Sequence, residues 1–432
     1  MKVHLKALGC RLNEAELEQW SQQFQAEGYQ LSQQADDAEL LILNTCAVTH
    51  EASRKSRQLI NRLHRENPTA KLVVTGCHSS LNAEQVADTM GVDLVISNHQ
   101  KSQLPQIARH ELALPTMPLS ATEPDDIALY TRGRHRAFIK IQDGCRYRCT
   151  FCIVTIARGN EQSRALAEII QEIQNFHRHG IQEVVLTGVH VGGYGSDNGS
   201  DLYTLITAIL QDTDIPRLRL ASVEPWDLPE HFFSLFDNPR LMPHMHLPLQ
   251  SGSDKTLRRM ARRCKTREFK ILAEKARSAH PGFNITTDVI AGFPGETEED
   301  WQTSLAFIET IGFGHLHIFP YSPRQGTKAA GLPEQVDKKT KQRRCKELAQ
   351  LGEKMKQQAL QNIIGSTHPV LWEKPSAEDT HGMTTYSGYT PHFHRVETRV
   401  PSDQPLEYKI TQTHLTHLNL TPLLLQGDIN NT

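Results

Sequence analysis

Cys145-Arg-Tyr-Arg-Cys149-Thr-Phe-Cys152 carries three thiols, with three residues between the first two and two residues between the last two. The preceding segment, Arg136–Asp143, has the apolar pattern of a buried strand. Ligands of α/β folds bind at the carboxyl ends of strands, so we expect the three thiols to face a site.

Three closely spaced thiolates suit a soft metal, either zinc or an iron–sulfur cluster. Structural zinc takes four ligands, and no fourth cysteine or closely placed Cys/His pair follows Cys152. A cubane cluster tolerates three protein thiolates and leaves one iron open for a small molecule. The spacing therefore favours the cluster, with zinc, a redox pair or incidental thiols as the alternatives.

Length and composition set the broad class of the protein. At 432 residues the chain predicts two or three domains, and 38% hydrophobic residues support real cores. A formal net charge of −2 gives no global positive field, so contact with RNA would depend on local patches. The sequence has no long apolar run and no signal-like start, which predicts a cytoplasmic protein without a membrane span. Eight cysteines are too few for a disulfide scaffold, and we interpret Cys264 and Cys345 as incidental.

The first part of the chain repeats an apolar run that ends in cysteine. The runs are Val3–Cys10, Glu39–Cys46 and Lys71–Cys77, and helical patterns follow them at 14–27, 52–65 and 82–90. Alternating strands and helices predict a parallel sheet in which all strand ends point the same way, so Cys10, Cys46 and Cys77 should converge. We predict an α/β domain over residues 1–113 with a second metal site. The alternative is that each cysteine is a small buried hydrophobe.

The middle of the chain continues the alternation after a Pro- and Thr-rich linker at 114–130. Six strand–helix units favour a partial parallel (β/α)6 barrel over 131–365, with catalysis at the carboxyl ends of its strands. Polar and glycine residues stand at those ends, although glycine also simply makes turns. The residues at these strand ends include Thr187, Gly188, Ser222 and Glu224.

The last part of the chain changes character twice. Residues 324–361 are predicted to be helical and basic, and their densest charges either form a solvated face or contact RNA phosphates. The densest positive charges are those of Lys338, Lys339, Lys341, Arg343 and Arg344. From 366 to 432 short β-like pieces predict a small all-β module, whose four Lys/Arg and seven Asp/Glu do not suggest an RNA binder.

The whole arrangement resembles the methylthiotransferase family of radical S-adenosylmethionine (SAM) enzymes. The matching motifs are Leu8–Asn13, Asn44–Thr49, Thr75–Cys77, the cysteine loop, Arg158–Gly159 with Ser163–Arg164, His246–Ser253, Asp288–Thr297 and Phe319–Ser322 with Gly326–Thr327. The resemblance implies two [4Fe–4S] clusters. One, on Cys145, Cys149 and Cys152, would bind SAM and generate a deoxyadenosyl radical. The other, on Cys10, Cys46 and Cys77, would carry or donate sulfur, and the carboxyl-terminal module would be a TRAM domain.

Within the family, Leu186–Gly195 with Asp197 is most similar to the bacterial branch that acts on N6-threonylcarbamoyladenosine at position 37 of tRNA. The isopentenyladenosine branch usually has Asn where this chain has His190. The ribosomal-protein branch usually has Pro-Lys where this chain has Arg11-Leu12. Thr155 stands where the family usually has Pro, and the acidic module departs from a strongly basic RNA-binding domain.

The resemblance also implies partners and further site residues. Thr187 and Gly188 would lie near the methionine group of SAM, and Ser222 and Glu224 near its ribose. Arg158 or Arg164 would either bind the SAM carboxylate or fix the loop to an acidic residue. The expected partners are tRNA and a small reductant protein such as a flavodoxin or ferredoxin, and the protein is expected to be a monomer. Two rivals are a radical enzyme whose amino-terminal domain binds cobalamin or a nucleotide, and a non-enzymatic RNA-binding protein with structural metal.

Overall fold

The computed structural model describes residues 1–115, 136–378 and 382–429, so most of the predicted linker lies outside the described residues. The described parts form an amino-terminal α/β unit, a central set of six parallel strands with helices, and a carboxyl-terminal closed β-barrel. None of the described helices has the length and apolar character needed to cross a membrane. The predicted fold class is confirmed.

The amino-terminal unit is a five-stranded parallel sheet in the order β2-β1-β3-β4-β5. The elements are β1 (Lys2–Ala7), α1 (Arg11–Ala26), β2 (Gln30–Leu31), β3 (Leu40–Thr45), α2 (His50–Glu66), β4 (Lys71–Gly76), α3 (Cys77–Leu81), α4 (Ala83–Ala87), β5 (Leu94–Ile96) and α5 (Leu104–Glu111). Both faces of the sheet are apolar, as a doubly covered parallel sheet requires. The helix predicted over 82–90 is present but shorter, as α4, and Asn82 separates it from the additional short helix α3.

The central unit contains two parallel sheets, β6-β9-β10 and β11-β12-β13. Single bridges from Leu218 to Leu241 and from Ser222 to His246 join the sheets into one six-stranded partial barrel, as predicted. The elements are β6 (Arg136–Lys140), β7 (Gln142–Asp143), α6 (Val154–Arg158), β8 (Gln162–Ser163), α7 (Leu166–Arg178), β9 (Glu183–Thr187), α8 (Leu202–Asp212), β10 (Arg217–Leu220), β11 (His244–His246), α9 (Asp254–Arg259), α10 (Thr266–Ala279), β12 (Asn284–Ala291), α11 (Glu298–Ile311) and β13 (His315–Pro320).

The long basic helix is shorter than predicted. It is α12 (Lys338–Gln361), and Asp337 caps it by accepting a hydrogen bond from the Thr340 N–H. Residues 324–337 hold only a short 3-10 turn at Lys328–Gly331, because glycine and Pro333 interrupt the pattern before the cap.

The carboxyl-terminal module is a closed barrel in the order β14-β15-β16-β18-β17. Its strands are β14 (Thr367–Glu378), β15 (Met383–Tyr389), β16 (Arg395–Pro401), β17 (Ile410–Leu420) and β18 (Leu423–Ile429). Trp372, Tyr386 and Leu415 lie in its buried core. The three β-like pieces in the sequence, at 369–372, 393–398 and 407–412, fall in or beside β14, β16 and β17.

Buried charges join the module to the central unit. Arg217 donates to the carbonyls of Pro369 (2.6 Å) and Tyr389 (3.1 Å). The neighbouring carboxylate of Glu183 is fully buried and binds Arg219 through two hydrogen bonds of 3.1 and 3.0 Å. Burial alone would raise the pKa of Glu183, but the surrounding guanidinium groups outweigh it and lower the pKa to about 2.

We expect Glu183→Ala to reduce the free energy of unfolding by about 3–5 kcal/mol, because it leaves buried guanidinium groups without their carboxylate. Urea denaturation at neutral pH measures the change. In the wild type this contribution is fully present above the carboxyl's ordinary pKa of 4.5 and is lost as the pH falls through about 2. Glu274→Ala removes an exposed helix carboxylate and should change stability little. Equal stability of the two variants would contradict this account.

Candidate functional site

The amino-terminal thiol group consists of Cys10, Cys46 and Cys77, each placed just after one of the parallel strands β1, β3 and β4. Gly9 has a φ of +109°, and a Cβ at this position would lie 2.7 Å from the Cys46 sulfur. Glycine is therefore needed for the β1 loop to approach Cys46 so closely. The predicted convergence of the three strand ends is present in the structure.

A buried arginine contacts this thiol group from the central unit. Arg158, the last residue of α6, donates from Nε to Cys77 Sγ at 3.3 Å. Nη1 donates to Glu16 and Asp143, both at 2.9 Å, and Nη2 donates to Asn13 Oδ1 at 2.7 Å. Since Asp143 and Arg158 stand on opposite sides of the cysteine loop, this guanidinium fixes both ends of the loop to helix α1.

Two lysines extend the same buried network. Lys101 and Lys140 bind Glu16 at 2.7 and 3.2 Å, and Lys140 also binds Asp143 at 2.7 Å. Together with Arg158 these groups leave one positive charge in excess beside the thiols. A local positive charge favours thiolates, which are the ligand form of cysteine.

The loop thiol group consists of Cys145, Cys149 and Cys152. The loop closes at its base, where the Cys145 N–H donates to the Gly159 carbonyl at 3.1 Å. All eight cysteines lie in the described ranges and are free thiols. Burial raises the pKa of Cys145 to about 12 and of Cys152 to about 11. Thiolates at these positions therefore require a bound cation, and free, grouped, partly buried thiols fit an iron–sulfur cluster.

Glu224 lies beside the loop thiol group. It accepts a hydrogen bond of 2.7 Å from Arg262, whose Nη1 lies 3.9 Å from Cys149 Sγ. The Arg262 guanidinium also stacks over the Trp226 ring at 4.3 Å. Sequence reasoning missed this position for Arg262, because the residue stands in a basic run that resembles a solvated face.

A second polar network supports the loop from behind. His190 is fully buried between Glu161, which binds Nδ1, and Asp227, which lies 2.8 Å from Nε2. Asp227 also accepts a hydrogen bond of 2.8 Å from the Tyr147 hydroxyl. Burial alone would lower the pKa of His190, but the two carboxylates raise it. His190 thus supports the cysteine loop through Asp227 and Tyr147, and its two acidic partners were not identified from the sequence.

A cavity of about 1450 Å³ lies where the three units meet. Its wall includes Cys10 and the predicted ligand-binding residues Thr187, Gly188 and Ser222. Alternate residues of β12 and β13 point into it, including Asp288 on β12 and both His317 and Phe319 on β13. The volume exceeds that of a typical single-ligand pocket, so a cofactor and a nucleoside can occupy it together.

The structure shows what the two arginines considered for the SAM carboxylate contact. Arg158 does not face the cavity, and all three of its guanidinium nitrogens bind the network described above. Arg164 donates to Glu172 at 2.6 Å and to the Lys140 carbonyl at 2.7 Å. Both arginines thus follow the alternative in which they fix the loop to acidic residues.

The predicted RNA contacts on α12 are also corrected in part. Arg344 is buried and binds Glu296 at 2.8 Å, so it cannot reach a phosphate. Arg343 is paired with Glu298 and Glu347 at 2.7 and 2.6 Å. Lys341 donates to the Tyr321 carbonyl and lies over its ring. Only Lys338 and Lys339 of this set stay exposed without a described partner, and RNA contact by these two lysines stays a prediction.

Comparison with known families gives two matches. Residues 2–97 match the model described as uncharacterized protein family UPF0004, and residues 139–308 match the radical SAM superfamily.

Three relatives cover most of the chain. The threonylcarbamoyladenosine tRNA methylthiotransferase MtaB of Chlamydia pneumoniae is 36% identical over 91% of this chain and 90% of its own length. The protein of the same name from Bacillus subtilis is 34% identical over 91% and 89%. The tRNA-2-methylthio-N(6)-dimethylallyladenosine synthase of Paracoccus denitrificans is 34% identical over 87% and 86%.

Solved structures show the same fold at low sequence identity. The radical SAM methyltransferase TsrM of Kitasatospora setae has a TM-score of 0.55 and 15% identity over 76% of this chain and 77% of its own. The cobalamin-dependent radical SAM enzyme OxsB has a TM-score of 0.51 and 12% identity over 82% of this chain and 56% of its own. At this identity the likeness concerns the fold alone.

The matched superfamily implies one [4Fe–4S] cluster and SAM, and the free thiols of the cysteine loop fit that cluster. The relatives that cover most of the chain are all named for methylthio modification of a tRNA nucleoside. One family model matches the amino-terminal unit and the other matches the central unit, and each of these units carries one thiol group. The chain therefore belongs to the radical SAM methylthiotransferase family.

Proposed function

We propose that this protein adds a methylthio group to carbon 2 of N6-threonylcarbamoyladenosine at position 37 of tRNA. The observation that carries the proposal is the cavity between the units, whose wall contains Cys10 of the amino-terminal thiol group and the strand ends Thr187, Gly188 and Ser222 of the central unit. Relatives named for this nucleoside reach 36% identity. The second candidate is the dimethylallyl nucleoside, favoured by a relative of that name at 34% identity.

We further propose that the amino-terminal thiol group holds a second [4Fe–4S] cluster. Its support is the set of three free thiols at adjacent strand ends together with the excess positive charge of Arg158, Lys101 and Lys140. When bound, the two clusters and SAM supply the radical and sulfur chemistry that an aromatic C–H bond demands and side-chain acids and bases cannot provide.

The protein's own contribution is placement and exclusion of water. Gly188 allows close packing of the Gln142 side chain under this strand end, because a Cβ there would lie 2.9 Å from Gln142 Oε1. Arg262 donates a hydrogen bond to one carboxylate oxygen of Glu224, so the other oxygen can accept a hydrogen bond from a ribose hydroxyl. The His190 network and Arg158 hold the cysteine loop from two sides.

The partners follow from the same proposal. The protein would bind tRNA as a monomer in the cytoplasm and take electrons from a small flavodoxin- or ferredoxin-like protein. Because much of the α12 charge is neutralised internally, we assign RNA contact on this helix to Lys338 and Lys339 only.

Mass spectrometry of nucleosides from tRNA of cells with and without the protein tests the substrate. We expect the 2-methylthio derivative of threonylcarbamoyladenosine to disappear and the unmodified precursor to accumulate. Loss of the isopentenyl derivative instead would support the second candidate. An unchanged level of both derivatives would contradict action on tRNA.

A further inference from the structure

Arg11 occupies a special place on the cavity wall. It is the first residue of α1 and directly follows Cys10. Its guanidinium lies over the ring of Phe138, at 5.0 Å from the ring centroid, and lines the cavity. About half of the side chain is exposed, at 53%.

The partner of Arg11 holds it only weakly. Nη1 lies 3.1 Å from Glu14, one turn along the same helix, and this carboxylate is itself partly exposed. An ion pair of this kind contributes little, because water screens it and two side chains must be ordered. An incoming carboxylate can therefore use the remaining N–H groups of Arg11 or replace Glu14.

The other cations on the wall either pair with carboxylates or lie near the carboxyl-terminal module. Arg136 and Arg219 are buried and bind Glu183. Arg395 pairs with Glu397 on the carboxyl-terminal module. Lys356 lies on α12 near His394 of the module. Burial and nearby histidines lower the pKa of His394 most, and the charge of Lys356 lowers it further. Among the residues described on the wall, Arg11 is thus the cation adjacent to the amino-terminal thiol group.

The charge of Arg11 matters for the substrate proposed above, on which this inference rests. A threonylcarbamoyl group on N6 ends in a carboxylate, whereas an isopentenyl group is apolar. Carbon 2 and carbon 6, which bears N6, are separated by one atom of the same six-membered ring, so a base that presents carbon 2 to the Cys10 side also brings its N6 substituent close to α1. A guanidinium fork matches a carboxylate in geometry and charge.

We propose that Arg11 binds the carboxylate of the threonylcarbamoyl group and is thereby a specificity-determining residue for the N6 substituent. Three acidic residues line the cavity, namely Asp288, Glu353 and Glu397. Asp288 lies 3.2 Å from His246, and Glu397 pairs with Arg395.

The test compares RNA binding by the cluster-loaded wild type, Arg11→Leu and Arg11→Lys. The probes are anticodon stem-loops that carry threonylcarbamoyladenosine, its carboxylate methyl ester or unmodified adenosine at position 37. We expect the wild type to bind the free acid about tenfold more tightly than the ester, as one charge-assisted pair would provide. Arg11→Leu should remove this difference by weakening only the free-acid complex, and Arg11→Lys should restore part of it.

Arg54→Leu is a matched control, because Arg54 is also 53% exposed and also pairs with a glutamate three residues away, but lies on α2 and is not on the cavity wall. It should keep the wild-type preference. Equal iron content in all variants shows that the neighbouring Cys10 site is intact. A preference for the free acid that survives in Arg11→Leu would overturn the inference. A wild type that shows no preference and does not methylthiolate the free-acid RNA would instead refute the proposed substrate.

Discussion

Replacing Cys46 with alanine is expected to abolish methylthiolation while 5′-deoxyadenosine is still formed from SAM. Cys46 belongs to the amino-terminal thiol group, and the loop thiols lie on a separate element of the central unit. Methylthiolation should fall by more than about a hundredfold, since residues that merely support a metal ligand already change activity by about 10–100-fold. Mass spectrometry of both products from one anaerobic reaction measures the separation.

The control for this variant is Cys264→Ala. Cys264 is buried and free, like Cys46, but its sulfur contacts only the Lys265 carbonyl among the described hydrogen bonds. It should keep both products near the wild-type level. Normal methylthiolation by the Cys46 variant would show that the amino-terminal thiol group has no part in sulfur transfer.

Arg158→Gln is expected to weaken the amino-terminal site selectively. The substitution removes the N–H donor to Cys77 and the charge shared by Glu16 and Asp143. Cluster retention at the amino-terminal thiol group should fall, so iron per chain should drop from about eight toward about four, the content of one cubane. Iron analysis and electron paramagnetic resonance of the reduced protein measure the loss. Arg158→Lys keeps the charge and should retain more iron than Arg158→Gln.

Arg164→Gln is the matched control for that effect. Arg164 also follows the cysteine loop and also pairs with a partly buried glutamate, Glu172, but it makes no described contact with a cysteine. Its iron content should equal that of the wild type. Equal iron loss in both arginine variants would mean that general loosening of the loop, and not the contact with Cys77, controls cluster retention.

The grouping of the cysteines could be predicted because Cys10, Cys46 and Cys77 each follow a strand, whereas Cys145, Cys149 and Cys152 share one loop. An apolar run followed by cysteine is a local pattern, and parallel topology then brings Cys10, Cys46 and Cys77 to one edge. The partners of charged residues are not local. Arg344 meets Glu296 almost fifty residues away, and Arg158 meets Glu16 across two units. A basic run therefore resembled an RNA surface although two of its arginines are neutralised within the fold.

The same limit applied to β structure and to the loop supports. The β-like piece at 369–372 contains two apolar residues of the module core, Val370 and Trp372. The antiparallel pairing that closes the barrel depends on distant segments. His190 was noted for its residue type alone, because its partners Glu161 and Asp227 stand on separate loops.

Iron and sulfide analysis of anaerobically prepared wild-type protein, combined with Mössbauer spectroscopy, tests the central claim most directly. Two cubane clusters on the six thiols predict about eight iron and about eight sulfide per chain, with all the iron in cubane signals. About four iron per chain, with Cys10, Cys46 and Cys77 still reactive toward a thiol reagent, would contradict the two-cluster account.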